Sequence, residues 1–267
     1  MKNSSKDVCI VGGGMGSLSA AIYLNKKGFN VSIYEKNSTL GGRANIIEEK
    51  GFKFDVGPSL LNYPWIFENL FKEAGEKMSD HIDLIEINSG VKFLWDDKET
   101  FSITSDFPKL SNEIARLEKS HINGLNSFLK INSQRYNIAF EKLLNRNLDN
   151  PVKWGTGLGA KELFSGSMFK SMYKDLGVHF KSRYIKEAFG SYAMYLGGSP
   201  FKIPGFFSIL PYGEIAYGLW MPKGGIYSLI EKLEEILIKI GVKIYKNSPV
   251  KEIAIKDNKV FGIITND

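Results

Sequence analysis

Glycines at 12, 13, 14 and 16 stand between an apolar run and an alanine-containing segment, and an acid, Glu35, follows Gly14 by 21 residues. The chemistry open to such a pattern is the holding of a nucleotide diphosphate. Gly12 permits a tight turn out of a strand. Gly14 lets the backbone approach a pyrophosphate with no side chain in the way. A helix beginning near Gly16 points its free N–H groups and positive dipole end at the phosphates. Ser17 occupies the third small position, where the strict pattern has glycine, and is compact enough to keep helix and strand close. Glu35 can accept hydrogen bonds from a ribose diol.

The elements that must position these residues surround them. Val8 to Val11 reads as a strand buried on both faces, as in a parallel sheet, with the single cysteine, Cys9, as a small core residue. Leu18, Ala21, Ile22 and Leu24 follow a helical stripe that Gly28 closes. Val31, Ile33 and Tyr34 then begin a second strand ending at Glu35. Strand, glycine turn, helix, strand is the context that a dinucleotide site requires. To this point a nicotinamide dehydrogenase and a flavoprotein fit equally.

Gly41-Gly42-Arg43 follows, and then GFKFDVGPSLL from Gly51 to Leu61. On these residues the sequence resembles the flavin-dependent oxidoreductases of the amine oxidase and phytoene desaturase superfamily. Their pattern E-x(5)-GGR followed by F-D-x-G-P is matched by Glu35, Gly41, Gly42, Arg43, Phe54, Asp55, Gly57 and Pro58. A second block, YLGGSPFKIPGFFSILPYGEIAYGLWMPKGG, matches the carotenoid desaturases at Gly197, Pro200, Tyr212, Glu214, Gly218, Pro222, Gly224 and Gly225.

The resemblance implies FAD as the cofactor, bound at Gly12, Gly14, Gly16, Ser17, Glu35, Gly42, Arg43, Gly57 and Val250. Glu35 would hold the adenosine ribose, the backbone around Gly42 and Arg43 the pyrophosphate, and the backbone of Val250 the adenine. The implied reaction is desaturation of a long apolar polyene precursor such as phytoene. A hydride leaves one carbon for flavin N5 and a proton leaves its neighbour; the resemblance assigns no catalytic acid or base. The implied fold is α/β: a Rossmann-like FAD-binding domain of three layers on a parallel sheet, with an inserted α+β substrate domain. Residues 1–61 open the FAD-binding domain, 62–220 form the insert, and 221–267 return to it.

The middle of the chain fits an insert. A short helix follows Pro64, and segments Lys92 to Trp95 and Phe101 to Thr104 flank a DDKE turn as a hairpin. Apolar residues from Leu110 to Leu143 keep three-and-four spacing, as one long helix or two, with Gly124 as the break. The aromatic- and lysine-rich segment from Leu163 to Phe201 reads either as core-facing helices or as an entrance docked on a bilayer. Ile226, Leu229, Ile230, Leu233, Ile236, Leu237 and Ile240 then line one face of a helix closed by Gly241. Val242 to Tyr245 is the third parallel strand, and Val250 to Ile255 with Val260 to Ile264 form a meander around DNK.

Bulk properties exclude other classes. Of 267 residues 43% are hydrophobic and 24% charged, which suits a core-forming protein. The net charge of +6 comes from lysines spread along the chain, so the basic excess implies a solvated surface or attraction to anionic lipid, and no nucleic acid. With one cysteine there is no intrachain disulfide, and the polar start MKNSSKD reads as no signal peptide. No apolar run reaches membrane-span length, so the expectation is a cytoplasmic protein, in peripheral contact with a membrane in one reading. The three histidines, His81, His121 and His179, lack metal-ligand spacing, so no metal is expected.

Relatives with this pattern are longer, so the resemblance implies that a C-terminal portion of the fold is missing, including a G-D motif that closes over the flavin. The strand Val8 to Val11 asks for a neighbour on each side. The second strand supplies one, and the other comes from that portion, leaving an apolar edge bare. Three readings follow: a desaturase whose other half is a separate polypeptide or has been lost from the sequence as given, a truncated non-catalytic remnant, or a related flavin oxidoreductase with another apolar or amine substrate.

Overall fold

A computed structural model describes residues 6–88, 90–119, 121–144 and 167–266. The chain divides into two units, one of Met1–Glu86 with Trp220–Asp267 and one of Ile87–Leu219. The first unit opens with strand β1 (Asp7–Val11), helix α1 (Met15–Lys26) and strand β2 (Asn30–Tyr34), with β1 and β2 parallel in the register Val8↔Val31 and Ile10↔Ile33. Strands β3 (Asn45–Glu49) and β4 (Phe52–Val56) form an antiparallel hairpin, followed by helix α2 (Pro64–Glu73), which has proline in its first turn. Strand β5 (Leu84–Ile87) leads out of the unit. Leu70 and Phe71 of α2, with Met78 and Ile82, are buried in the same core as Leu18, Ile22 and Ile33. The opening segment therefore runs to Glu86, beyond the sequence boundary at Leu61.

The second unit starts with the expected hairpin, β6 (Val91–Leu94) against β7 (Thr100–Ile103). Helices α3 (Phe107–Leu117) and α4 (His121–Ile138) follow, with a π-helical turn over Ala139–Leu144. The helix break falls at Glu118, not at Gly124, which corrects the sequence reading. Glu118 is extended, and its carboxylate instead receives the N–H groups of Lys181 and Ser182. Gly124 lies inside α4 because any Cβ there would strike the His179 carbonyl. Helices α5 (Met172–His179), α6 (Arg183–Gly190) and α7 (Ile209–Tyr217) complete the unit. Its core gathers Phe101, Leu110, Ile114, Phe128, Leu176, Phe180 and Phe189, each worth about 1.5–3 kcal/mol on burial. The part of the aromatic segment at 163–166 lies outside the described residues.

Strand β8 (Leu219–Pro222) leads back, and Leu61 and Trp220 exchange backbone hydrogen bonds of 2.7 and 3.0 Å. Helix α8 (Tyr227–Lys239) buries Leu229, Ile230, Leu233, Ile236 and Leu237, on the face its apolar spacing defines. Strand β9 (Lys243–Tyr245) pairs parallel with β2, so the sheet order is β1-β2-β9, the third strand falling where expected. Strands β10 (Val250–Lys256) and β11 (Lys259–Thr265) form the antiparallel meander.

One expectation fails. Cys9 is exposed, and Val11 is 50% exposed, so β1 is not buried on both faces. The reason is its place in the sheet: β1 is an edge strand, and α1 and α8 cover only the face that carries Val31 and Ile33. The opposite face presents Cys9, Val11, Tyr34 and Tyr245, whose rings stack 4.7 Å apart across the paired strands β2 and β9.

Candidate functional site

The glycine turn is built by two loops laid edge to edge. Gly12 leaves β1 with φ +89°, a left-handed value that glycine adopts freely, and donates its N–H to the Tyr34 carbonyl at 2.7 Å. Gly13 gives its N–H to Glu35 Oε2 at 2.6 Å, and a Cβ there would strike Leu40. Gly41 donates to the Gly13 carbonyl at 2.8 Å and bridges Gly14. Gly42 follows so closely that a Cβ on it would lie 3.1 Å from the Gly14 Cα.

In front of this seam the protein leaves room. A Cβ placed on Gly12, Gly14 or Gly16 would meet nothing within 4 Å. Gly14 caps α1, with no side-chain hydrogen bond at the cap and no acid in the first turn. The N–H groups and the positive end of the helix therefore face outward without a built-in anion. Ser17 donates its N–H to the Gly14 carbonyl inside the first turn. Arg43 is exposed beside the seam and forms no ion pair among the described residues.

Glu35 is placed at the tip of β2 but is 5% exposed, with both carboxylate oxygens engaged: Oε2 by Gly13 and Oε1 by the N–H of Asn37 at 2.9 Å. Its first visible work is to fix the glycine loop. Gly57 lies where the chain leaves β4, its backbone packed on the Arg43 carbonyl so tightly that a Cβ would strike it. Val250 is half-buried at the start of β10, opposite Thr265. The structure thus joins Gly12, Gly13, Gly14, Glu35, Gly41 and Gly42 in one hydrogen-bonded seam, with Ser17 in the first turn of α1 and Gly57 packed on the Arg43 carbonyl; Val250 lies apart from these contacts, at the start of β10.

Two contributors were not singled out from the sequence. Gly13 is the hinge of the seam, and its signal was the uninterrupted Gly12-Gly13-Gly14 run. Asp55, matched only as part of a family pattern, accepts the N–H groups of Ile226 and Tyr227 at 2.7 and 3.1 Å, so it caps α8. Helix α8 has no capping side chain at Ile226, its own N-cap residue, which was the available clue.

In the second unit, Glu214 on α7 is 6% exposed. Its Oε2 accepts the Tyr192 hydroxyl, and its Oε1 has no hydrogen-bond partner among the described residues. Burial pushes its carboxyl above the ordinary range, while the Tyr192 hydrogen bond pulls the other way. In the same unit, Arg135 and Asp175 form a buried two-armed pair at 2.6 and 3.0 Å, with Asn132 also on Arg135 at 3.1 Å. His81 bonds Glu76 at 2.9 Å and His179 bonds Ser127 at 3.0 Å. No group of three metal-ligating side chains occurs among the described residues, and no helix there is long and apolar enough to cross a membrane.

A family model described as flavin containing amine oxidoreductase matches residues 18–266. The chain is 33% identical over 263 residues to phytoene desaturase of Phycomyces blakesleeanus, covering 97% of this chain and 45% of that one. It is 28% identical over 256 residues to the zeta-carotene-forming phytoene desaturase of Myxococcus xanthus, covering 96% and 50%. Among solved structures, the PF1083 protein of Pyrococcus furiosus superposes with a TM-score of 0.62 at 19% identity, covering 97% of this chain and 55% of that one, a likeness of fold. The chain spans about half the length of the curated relatives it matches.

Proposed function

The chain belongs to the flavin containing amine oxidoreductase family, and from that premise we propose that it is the nucleotide-binding part of an FAD-dependent desaturase acting on a long apolar isoprenoid such as phytoene. One observation carries the cofactor reading: the open space in front of Gly12, Gly14 and Gly16, which a Cβ would begin to fill. The residues fit a diphosphate, because the start of α1, with no side-chain cap, and Arg43, which has no ion pair among the described residues, both favour negative charge there. Bound FAD would supply the two-electron acceptor, taking a hydride at N5.

This chain's own residues would bind and orient. Backbone at Gly12, Gly14 and Gly42 would lie along the diphosphate. Each Glu35 oxygen already takes one backbone N–H, and its remaining lone pairs would accept ribose hydroxyls. The substrate class rests on the names of the relatives, which are carotenoid desaturases.

Because the matched relatives are about twice as long, we also propose that a second polypeptide segment supplies the rest of the fold. Co-expression with the C-terminal half of the Myxococcus xanthus relative tests both ideas. A yellow complex with flavin absorbance and polyene products supports the desaturase. A colourless chain that binds ADP weakly supports a non-catalytic remnant. Polyene-inactive yellow protein would move the substrate to another apolar compound or an amine.

Membrane contact is proposed on the exposure of Phe169, Met194, Tyr195 and Phe201 in the lysine-rich segment. Co-sedimentation with anionic liposomes supports it, and indifference to lipid removes it.

A further inference from the structure

The second unit holds a pocket of about 340 Å³ between the start of α3, the middle of α4 and the end of α7. That size is at the lower end for small-molecule sites. Phe107, Leu129 and Ile215 supply apolar wall. Lys130 and Ser133 also line it, and their i,i+3 spacing puts them on one face of α4. Tyr212 and Ala216 line it too, with the Tyr212 hydroxyl engaged by Tyr217.

Charge biases the class of occupant. No acid lines the pocket, and Lys130 has no ion-pair partner among the described residues. The acid beside Phe107, Asp106, is already taken: Oδ2 meets Lys109 Nζ at 2.9 Å and Oδ1 accepts the Lys109 N–H at 3.1 Å. An apolar recess with one uncompensated cation and a neighbouring hydroxyl suits a ligand with a short aliphatic body and one negative head. A neutral hydrocarbon would gain nothing from Lys130, and a bare phosphate would leave the apolar walls wet.

We infer that this pocket binds a single-chain aliphatic carboxylate, head group toward Lys130 and Ser133 and chain against Phe107, Leu129 and Ile215. The inference does not depend on the flavin reading, since every residue it uses lies in the second unit. Because Lys130 is exposed, the charge should add only a modest preference.

Isothermal titration of the full chain with monomeric decanoate, decan-1-ol and decyltrimethylammonium tests it at low salt. The expected order is decanoate over the alcohol by about two- to fivefold, with the cation weakest. In Lys130→Glu, a surface change that leaves the fold intact, that order reverses. Ala216→Trp puts bulk into the lining at an exposed position, and decanoate binding is lost while the melting temperature holds. Equal affinity for acid and alcohol overturns the proposal, as does decanoate binding unaffected by both variants. Association with phosphatidylglycerol vesicles without binding of monomeric decanoate also overturns it, in favour of a membrane surface.

Discussion

Asp55 caps helix α8 at Ile226 across 171 residues of chain, binding the β3–β4 hairpin to the helix that brings the chain back to its first sheet. The two ends of the nucleotide-binding unit are therefore locked by a carboxylate on two backbone N–H groups that a helix otherwise leaves unmatched. Asp55→Ala is expected to cost about 1–2 kcal/mol. Asp55→Asn, which keeps one acceptor, should cost less. Urea unfolding of the two variants measures both, and equal stability of Asp55→Ala and wild type would contradict the cap.

Gly14 and Gly13 should separate binding from folding. Gly14 has φ −74°, an ordinary value, and open space where its Cβ would go. Gly14→Val should therefore keep the melting temperature while abolishing FAD or ADP retention in equilibrium dialysis of the reconstituted protein. Gly13→Ala instead drives a methyl group into Leu40 and should lower stability by about 1–3 kcal/mol. If Gly14→Val kept full nucleotide affinity, the open space would not be the phosphate site.

Glu35→Ala strips acceptors from the N–H groups of Gly13 and Asn37. Leaving those donors unmet is expected to cost about 1–3 kcal/mol. Nucleotide affinity should fall with it, because the loop loses its anchor. Thermal melts with and without ADP show both effects in one experiment.

Glu214 predicts a pH dependence with a definite sign. Burial raises its folded-state pKa, so the unfolded chain ionises first as pH climbs past the ordinary glutamate value of 4.5. Its contribution is fully present below that value and is lost as pH rises toward and through the raised folded value. Glu214→Gln removes the titration. The variant should show a flatter melting temperature from pH 4.5 upward and gain on wild type toward neutrality. Parallel curves for the two proteins would remove Glu214 as the cause.

Arg135 and Asp175 are 11% and 6% exposed, so removing one partner strands a buried charge. Asp175→Ala should cost about 3–5 kcal/mol. The double variant Arg135→Met with Asp175→Leu should recover much of that, since no charge is left unpaired. Chemical denaturation of the single and double variants gives the comparison.

Local pattern made much of this molecule legible. The glycine turn, the α1 stripe and the amphipathic α8 each satisfy a short-range rule, and the structure places all three where spacing puts them. What sequence could not supply was anything set by distant partners. Gly124 looked like a helix break because glycine is a poor helix former, yet it is there to admit the His179 carbonyl from α5. Val8 to Val11 looked fully buried because all its side chains are small and apolar, but burial depends on what covers a strand, and β1 lies at an edge. Asp55 read as part of a cofactor pattern, and its capping role needed the position of a helix far along the chain. Glu35 fell at the expected tip of β2, and its hold on Gly13 was invisible without the loop's path.

Cys9 stands on the outward face of β1, across from Ser32 and on the same side as the stacked Tyr34 and Tyr245. It is the chain's only sulfhydryl. A maleimide dye therefore reads the state of that surface with no engineered label: fast modification means open sheet, and protection on adding a co-expressed segment is the result expected if the proposed second segment lies over it. The protein carries its own chemical gauge of whether that face is covered.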